Sequence, residues 1–168
     1  MITPDQLRDL FVSFPTGVTI VTATDASGQA TGLTAGSFAG VSLDPPLMGL
    51  SISNASHTLE VLQARGSYGV HILGDWQADL ARQLSRDLRD KLADVDYRLD
   101  ARNVPCIGDC LRSLTCDVEA VLPGGDHSVL LGRIVELNPF GYDRPIGSPL
   151  IFHQRGYFRL GVSTDAVE

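Results

Sequence analysis

Residues 114–137 read LTCDVEAVL-PGGD-HSVLLGRIVEL, and this stretch decides the class of fold. Its two flanks are apolar and rich in β-branched residues, as strands are, and Pro123-Gly124-Gly125-Asp126 lies between them. Glycine allows the backbone angles of a tight turn, and the aspartate can accept hydrogen bonds from local amides. The stretch therefore predicts a β-hairpin, with strands over 114–122 and 127–137.

The rest of the chain carries further short segments of strand character, separated by turn residues. The predicted strands lie at 18–23, 31–41, 47–53, 68–73, 150–152 and 157–160. Helices are predicted from the Thr3 cap to Pro15, from an Asn54 or Ser56 cap to Gly66, and from Asp75 to about Leu92. Because helices and strands do not alternate regularly, the pattern disfavours a doubly wound parallel sheet. We expect a mainly β, antiparallel barrel with two or three peripheral helices.

Length and charge limit the classes of function. The 168 residues weigh 18.0 kDa, so we expect one domain over residues 1–168. Thirteen basic and twenty acidic side chains give a net charge of −7, which disfavours nucleic acid and an anionic membrane as partners. No apolar run approaches the roughly 18 residues of a membrane span, and no signal peptide is recognisable, so we expect a cytoplasmic protein.

The usual motifs of covalent, metal and nucleotide chemistry are absent from the sequence. It has no Gly-x-Ser-x-Gly, no His-Glu-x-x-His, no phosphate-binding Gly-x-x-x-x-Gly-Lys and no Gly-x-Gly-x-x-Gly. Cys106, Cys110 and Cys116 are close in sequence, but no second cysteine pair or nearby histidine completes a zinc set. We therefore expect reduced thiols and no metal site.

Small polar clusters and one histidine are the candidates for a binding site. The segments 34–37 and 51–58 are rich in hydroxyls and backbone amides that can bind a heterocycle edge or a phosphate. Ordinary turn and capping chemistry explains these clusters equally well. His127 follows the tight turn and can be directed over a cleft, whereas His57, His71 and His153 are interpreted as structural.

A series of short runs, taken in order along the chain, resembles one known family. The runs are FPTGVTIVT (14–22), GLTAGSF (32–38), VSLDPPL (41–47), SHT (56–58), GVHIL (69–73), DKL (90–92), GDH (125–127) and PLIF (149–152). They resemble the flavin reductase domain with the FMN-binding split-barrel fold, from about Phe11 to Leu160. VSLDPP and GDH are the most specific of them.

The resemblance implies an antiparallel, Greek-key-like split β-barrel that forms a homodimer. It implies binding of FMN or FAD, oxidation of NADH or NADPH, and release of reduced flavin to a partner monooxygenase. Hydride transfer between the two cofactors needs no protein nucleophile, which agrees with the absence of a catalytic triad. Two alternatives stay open: a flavoprotein that retains its flavin and acts on another substrate, and a barrel that has lost flavin binding.

The resemblance also implies which residues bind the cofactors. Those around the isoalloxazine are Thr34, Ala35, Gly36, Ser37, Asp44, Pro45 and Pro46. Those along the ribityl chain and phosphate are Ser51, Ser53, Ser56 and Thr58, with Arg86 and Lys91 as the neutralising cations. His127 is the candidate catalytic residue, expected to meet the nicotinamide, and Tyr157 completes the set of cofactor-binding candidates.

Several positions depart from the family pattern. Gly36 stands where the family often has Asn or Ser, which removes one possible side-chain contact. His71 replaces a common Asn, and Leu84 and Leu92 replace Phe. These departures bear on cofactor choice and affinity more than on fold.

Overall fold

The structure is a computed structural model that describes residues 2–86, 91–138 and 147–161. Its helices are α1 (Pro4–Val12), α2 (His57–Arg65) and α3 (Ala78–Leu84), and a 3-10 turn (Asp75–Gln77) precedes α3. The strands of the described residues are β1 (Thr16–Gly17), β2 (Thr19–Thr24), β3 (Ala30–Ala35), β4 (Ala39–Leu43), β5 (Pro46–Ser53), β6 (Ser67–Ile72), β7 (Tyr97–Leu99), β8 (Pro105–Ile107), β9 (Arg112–Gly124), β10 (His127–Asn138), β11 (Leu150–His153) and β12 (Gly156–Arg159).

The main sheet has seven strands in the order β3-β2-β6-β9-β10-β5-β4, and every pairing in it is antiparallel. Smaller sheets pair β1-β11-β12 and β7-β8. The Ser37 hydroxyl, just after β3, donates to Ser51 O and accepts from Ser51 N in β5, at 2.9 and 3.0 Å. Since β3 and β5 lie near opposite ends of the strand order, these bonds show that the main sheet curls. The prediction of a mainly β, antiparallel fold with peripheral helices is confirmed.

The predicted hairpin is confirmed and extends beyond the predicted bounds. β9 and β10 pair from His127 opposite Gly124 to Asn138 opposite Ser113. Gly125 has φ +80°, a left-handed value that glycine adopts without steric cost, and this residue makes the tight turn possible. The hairpin joins the two halves of the main sheet, since β9 pairs with β6 and β10 pairs with β5.

Two predicted elements differ from the structure. Residues 31–41 do not form one strand: β3 ends at Ala35 and pairs with β2, and β4 begins at Ala39 and pairs with β5 on the opposite edge. The long helix predicted from Asp75 ends at Leu84. There the Ser85 hydroxyl donates to Arg82 O at 2.8 Å, which satisfies one carbonyl of the last turn. Part of the predicted helix, residues 87–90, lies outside the described residues.

Two groups of buried apolar side chains form the core. One lies around Tyr68, Met48 and Leu130 and includes the inner side of α2. The other lies around Ile20 and Leu84 and includes α3. The burial of these side chains holds α2 and α3 against the sheet. The start of α2 and the end of α3 both help to form the site described below.

His71 is a buried structural residue, as its strand position predicts. Its Nδ1 lies 2.9 Å from the Ser113 hydroxyl, and its Nε2 lies 3.0 Å from the Thr22 hydroxyl and 3.1 Å from Pro105 O. Burial lowers the pKa of His71 to about 4, against a smaller opposing effect of the contact with Pro105. The histidine is therefore neutral at pH 7.

The cysteines are also buried. Cys106, Cys110 and Cys116 are all free thiols. Burial raises the pKa of Cys106 and Cys110 to about 11 and that of Cys116 to about 12, so their reactive thiolate forms are scarce at pH 7. Among the residues described, no helix has the length and apolar character needed to cross a membrane.

α1 has the predicted cap, and its apolar face is exposed in the described part of the chain. The Thr3 and Gln6 side chains form the reciprocal capping box, and Pro4 occupies the first turn. Leu10, Phe11 and Phe14 are 61%, 67% and 72% exposed. Within the described residues, the hydrogen bond from Gln154 N to Val12 O and the Arg155–Asp9 ion pair, at 2.8 and 2.7 Å, tie the helix to the β11–β12 turn.

Candidate functional site

A cleft of about 840 Å³ opens between α1, the ends of β3 and β5, the end of α3 and the β9–β10 turn. This volume lies in the usual range for small-molecule and cofactor sites. One side is apolar, with side chains of Leu7 and Phe11 from α1 and Leu33, Ile52 and Leu84 from the body of the protein. Such a wall can pack against a flat ring and exclude water from it.

The opposite side of the cleft is lined by hydroxyl groups. Some of these are committed to the protein: the Thr34 hydroxyl donates to Ala81 O at 2.8 Å, and the Ser37 hydroxyl bonds the backbone of Ser51. The hydroxyls of Ser51 and Ser56 make no hydrogen bond to any residue in the described ranges. These two groups are therefore the ones available to a ligand.

Lys91 supplies positive charge to the cleft. Among the described residues that line the cleft, Lys91 is the one Lys or Arg side chain. The Gln83 side chain donates to Lys91 O at 3.0 Å and so fixes the backbone from which the ammonium group extends. Ser56, the N-cap of α2, lies on the same cleft with its hydroxyl outside any capping hydrogen bond. Lys91 and Ser56 together suit an anionic group.

Gly36 is exposed and lies close to the side chain of Thr16. A Cβ atom at this position would lie 2.7 Å from the Thr16 hydroxyl oxygen. A side chain at this position would therefore require the Thr16 hydroxyl to move. At Gly36 the cleft is therefore lined by backbone atoms and not by a side chain.

His127 lies at the mouth of the cleft and is oriented by its neighbour. Its Nδ1 donates to the Asp126 carboxylate at 2.8 Å, and this hydrogen bond holds the pKa of Asp126 below its usual value. The antiparallel register places His127 opposite Ser53 of β5. The imidazole is 45% exposed, so a ligand can reach it.

Asn54 positions the turn that carries His127, a role that sequence reasoning missed. Its backbone N–H donates to Asp126 O and its side-chain amide donates to Gly125 O, each at 3.0 Å. Its side-chain oxygen accepts a hydrogen bond from the Ser128 hydroxyl at 2.7 Å. In the sequence Asn54 is visible only as a possible helix cap, since its contacts are to residues more than seventy positions away.

The structure brings part of the predicted set together. Candidates that line the cleft share the ends of β3 and β5, the start of α2 and the turn regions: Thr34, Ala35, Gly36, Ser37, Ser51, Ser53, Ser56, Lys91 and His127. The apolar lining residues Leu7, Phe11, Leu33, Ile52 and Leu84, together with Ser85, Gly124 and Asp126, were not among the candidates. Apolar residues at helix or strand spacing look the same in a sequence whether they pack in the core or line a ligand site.

The other candidates lie elsewhere in the chain. Asp44, Pro45 and Pro46 form the exposed β4–β5 turn at the opposite end of β5 from Ser53, about 23 Å away at the rise of a strand. Thr58 is buried, and its hydroxyl lies 3.3 Å from Gly32 O. Their roles in cofactor binding stay predictions.

Arg86 and Tyr157 are the remaining two candidates. Arg86 is exposed just beyond α3 and is not among the residues that line the cleft. Tyr157 lies in a second, smaller pocket, beneath the Arg82 guanidinium. Both assignments also stay predictions.

The family model for the flavin reductase like domain matches residues 11–161. The chain belongs to the flavin reductase-like domain family. The match includes every cleft-lining residue except Leu7. The family therefore accounts for nearly the whole fold and for nearly all of the cleft.

Individual members of the flavin reductase-like family resemble the chain over most of its length. A probable flavin reductase from Rhizobium meliloti is 37% identical over 84% of this chain, which spans 47% of that longer protein. A nitrilotriacetate monooxygenase component B homolog from Mycobacterium thermoresistibile superposes with TM-score 0.89 and 30% identity, over 98% of this chain and 90% of that one. The NADH:FAD oxidoreductase of Streptomyces globisporus C-1027, solved with NAD and FAD fragments, gives TM-score 0.86 and 29% identity, over 98% and 99%.

Proposed function

We propose that this protein is an NAD(P)H-dependent flavin reductase that transfers hydride from NADH or NADPH to FMN or FAD. The observation that carries the proposal is the cleft, which combines an apolar wall, free hydroxyls and one lysine in a family of flavin reductases. The relative solved with NAD and FAD fragments, itself an NADH:FAD oxidoreductase, supports this choice of cofactors.

The residues of the cleft fit a flavin. Leu33, which is partly exposed, and Leu7 and Phe11 of α1 offer an apolar surface to the flat ring system, and buried Ile52 and Leu84 lie behind it. The free hydroxyls of Ser51 and Ser56 suit a ribityl chain and a phosphate, and Lys91 supplies the charge that a phosphate requires in a chain of net charge −7. The chemistry of each part of the cleft thus matches a different part of one ligand.

The protein's own contribution to the reaction is binding and orientation. A bound flavin supplies a hydride acceptor, so no protein nucleophile is needed. The apolar wall excludes water from the space where two rings must stack. The Nδ1–H of His127 donates a hydrogen bond to Asp126, so the Nε2 atom of the neutral ring is free to accept one from a nicotinamide carboxamide. His127 would thus orient the nicotinamide without joining the hydride step.

A homodimer is part of the proposal. No described residue covers the apolar face of α1, and a nine-residue helix is marginal in water without tertiary packing. Leu7 and Phe11 of this helix also line the cleft. A second copy that covers α1 would therefore also enclose one side of the cleft. One interface would then both bury the apolar face of α1 and complete the cleft.

Release of reduced flavin to a separate monooxygenase, in the cytoplasm, completes the proposal. The relative named as a monooxygenase component supports such a partner. A cleft open along one side is compatible with a flavin that diffuses away after reduction. The competing function is a flavoprotein that retains FMN or FAD and uses it on another substrate.

Anaerobic mixing of the purified chain with FMN and NADH separates the two functions. We expect many equivalents of free FMN to lose their absorbance at 450 nm, with a rate that saturates in NADH. The experiment is repeated with FAD and with NADPH to fix the cofactor pair. A chain that stays yellow through gel filtration and does not turn over NADH would contradict the proposal and support the retained-flavin function.

A further inference from the structure

A second pocket lies on α3, separate from the cleft. Its volume is about 330 Å³, and it shares no lining residue with the cleft. Ala78 and Arg82, one helical turn apart on α3, form one side, and the end of the β11–β12 hairpin forms the other. A volume near the lower end of the range for ligand sites suits a molecule with one or two rings.

Three aromatic residues line this Arg82 pocket, which we define by Trp76, Arg82, Tyr157, Phe158 and Arg159, with the Tyr157 ring on the same face of β12 as Arg159 and the Phe158 ring on the other. Trp76 and Phe158 are 37% and 51% exposed, an unusual degree for such large apolar groups. The Trp76 indole N–H donates to Asp109 O at 3.1 Å, which holds the ring in place. The pocket therefore presents fixed aromatic surface to solvent.

The same pocket carries two guanidinium groups. The Arg82 guanidinium lies 5.2 Å from the centre of the Tyr157 ring and pairs with Asp79 at 2.7 Å, so it is held over the pocket. The Arg159 guanidinium makes no hydrogen bond or ion pair within residues 2–86, 91–138 and 147–161. Because Asp79 offsets the charge of Arg82, Arg159 is the guanidinium of this pocket that can attract an anion.

Asp75 limits the charge of the ligand. Asp75 also lines the pocket, and its negative charge, together with that of Asp79 on Arg82, weighs against a ligand with more than one negative charge. A doubly charged phosphate is therefore a poorer match than a single carboxylate, which can accept two parallel hydrogen bonds from one guanidinium. We propose that the Arg82 pocket binds a small aromatic monocarboxylate, with its ring against Trp76 and its carboxylate on Arg159.

The single tryptophan of the chain lies in this pocket, so its fluorescence reports binding directly. We expect benzoate to change the fluorescence of the purified chain saturably. Benzamide, which has the same ring and no charge, should bind at least about tenfold more weakly, the effect of losing a charge-assisted contact. The absence of a saturable change with benzoate, or equal binding of benzamide, would overturn the proposal.

Three variants locate the site. Arg159→Gln, at an exposed residue without a partner in the described structure, should weaken benzoate binding about tenfold or more. Asp75→Asn should strengthen it, because it removes a like charge. The matched control is Arg65→Gln, at an exposed arginine near the end of α2, which should leave binding unchanged. Unchanged binding in Arg159→Gln, or equal loss in Arg65→Gln, overturns the assignment to this pocket.

Competition with flavin separates this site from the cleft. If the pocket is distinct, saturating FAD leaves the affinity for benzoate unchanged. Displacement of benzoate by FAD would show that the pocket belongs to the flavin site and would overturn the proposal. The result does not depend on catalysis, so it stands whether or not the chain reduces flavin.

Discussion

At the scale of single residues, the charge of the cleft depends on one side chain. Lys91 is the lysine or arginine that lines it in the described part of the chain, and the chain as a whole is acidic. An anionic ligand is therefore attracted by Lys91 and repelled by the net charge of the chain, to which Asp126 at the cleft contributes. Removing this charge should matter more than removing an arginine elsewhere on the surface, where ion pairs contribute little.

Lys91→Ala should weaken FMN binding by about 1–3 kcal/mol, the effect of losing a charge-assisted contact. Arg86→Ala tests the second predicted cation, which is exposed and not part of the cleft lining, and should have a smaller effect. Fluorescence titration of FMN measures both dissociation constants, with Arg65→Ala as the control. An unchanged dissociation constant in both Lys91→Ala and Arg86→Ala means that these are solvated surface charges.

His127→Ala should raise the Michaelis constant for NADH or slow flavin reduction, because the imidazole held by Asp126 orients the nicotinamide. Flavin affinity and melting temperature should barely change, since His127 is partly exposed. Stopped-flow reduction and thermal unfolding measure the two effects. A variant that loses flavin binding and stability together, or one with normal NADH kinetics, identifies His127 as a residue that only closes the hairpin.

Buried His71 should make stability depend on pH. Its pKa is about 4 in the folded chain and near 6.5 when unfolded, so the unfolded state takes up the proton first. The free energy of unfolding therefore does not change with the protonation of His71 above pH 6.5. It decreases as the pH falls toward 4, by about 3 kcal/mol in total. Urea unfolding of the native chain and of His71→Asn between pH 7 and 4.5 checks this. Equal pH slopes in both proteins would contradict it.

At the scale of elements, the main sheet depends on close contact between β6 and β10. Gly132 of β10 lies at a register shift in the β9–β10 ladder. A Cβ atom there would overlap the hydroxyl of buried Tyr68 and come within 3.1 Å of the Met48 sulfur. The φ angle of Gly132 is not in the left-handed region, so glycine is needed here for space and not for its backbone conformation.

Gly132→Ala should reduce the free energy of unfolding by about 1–3 kcal/mol, the usual effect of overpacking a core. Gly40→Ala is the matched control, because a Cβ atom at Gly40 of β4 would meet nothing within 4 Å. Urea unfolding at pH 7 compares the two variants. If Gly132→Ala is as stable as Gly40→Ala, the contact with Tyr68 does not limit the packing of the sheet.

At the scale of the whole molecule, the uncovered face of α1 points to a second copy. We expect light scattering with saturating FMN to give twice the chain mass of 18.0 kDa. Leu10→Glu, on the exposed face of α1, should shift the mass to that of one chain and weaken FMN binding, since α1 also borders the cleft. Leu99→Glu, at an exposed leucine of β7, is the control. A native mass of 18.0 kDa with FMN bound contradicts the dimer.

The sequence by itself determined the class of fold, most element positions and the family. The β9–β10 turn, the capping box of α1 and the left-handed Gly66 at the end of α2 each depend on a few neighbouring residues. Strand alternation, turn conformations and helix caps are local in this sense, so their patterns can be read without the fold. The hydroxyl-rich segments and His127 were found in the same way.

Only the tertiary structure decided which of these residues meet. It separated residues 31–41 into strands on opposite edges, placed Tyr157 in a second pocket beneath Arg82, and left the apolar face of α1 exposed. It also showed that Asn54 holds the turn of His127 from more than seventy residues away. Such outcomes depend on packing between segments that are distant in sequence. A pattern within one segment cannot specify its partner, since many partners would bury the same apolar side.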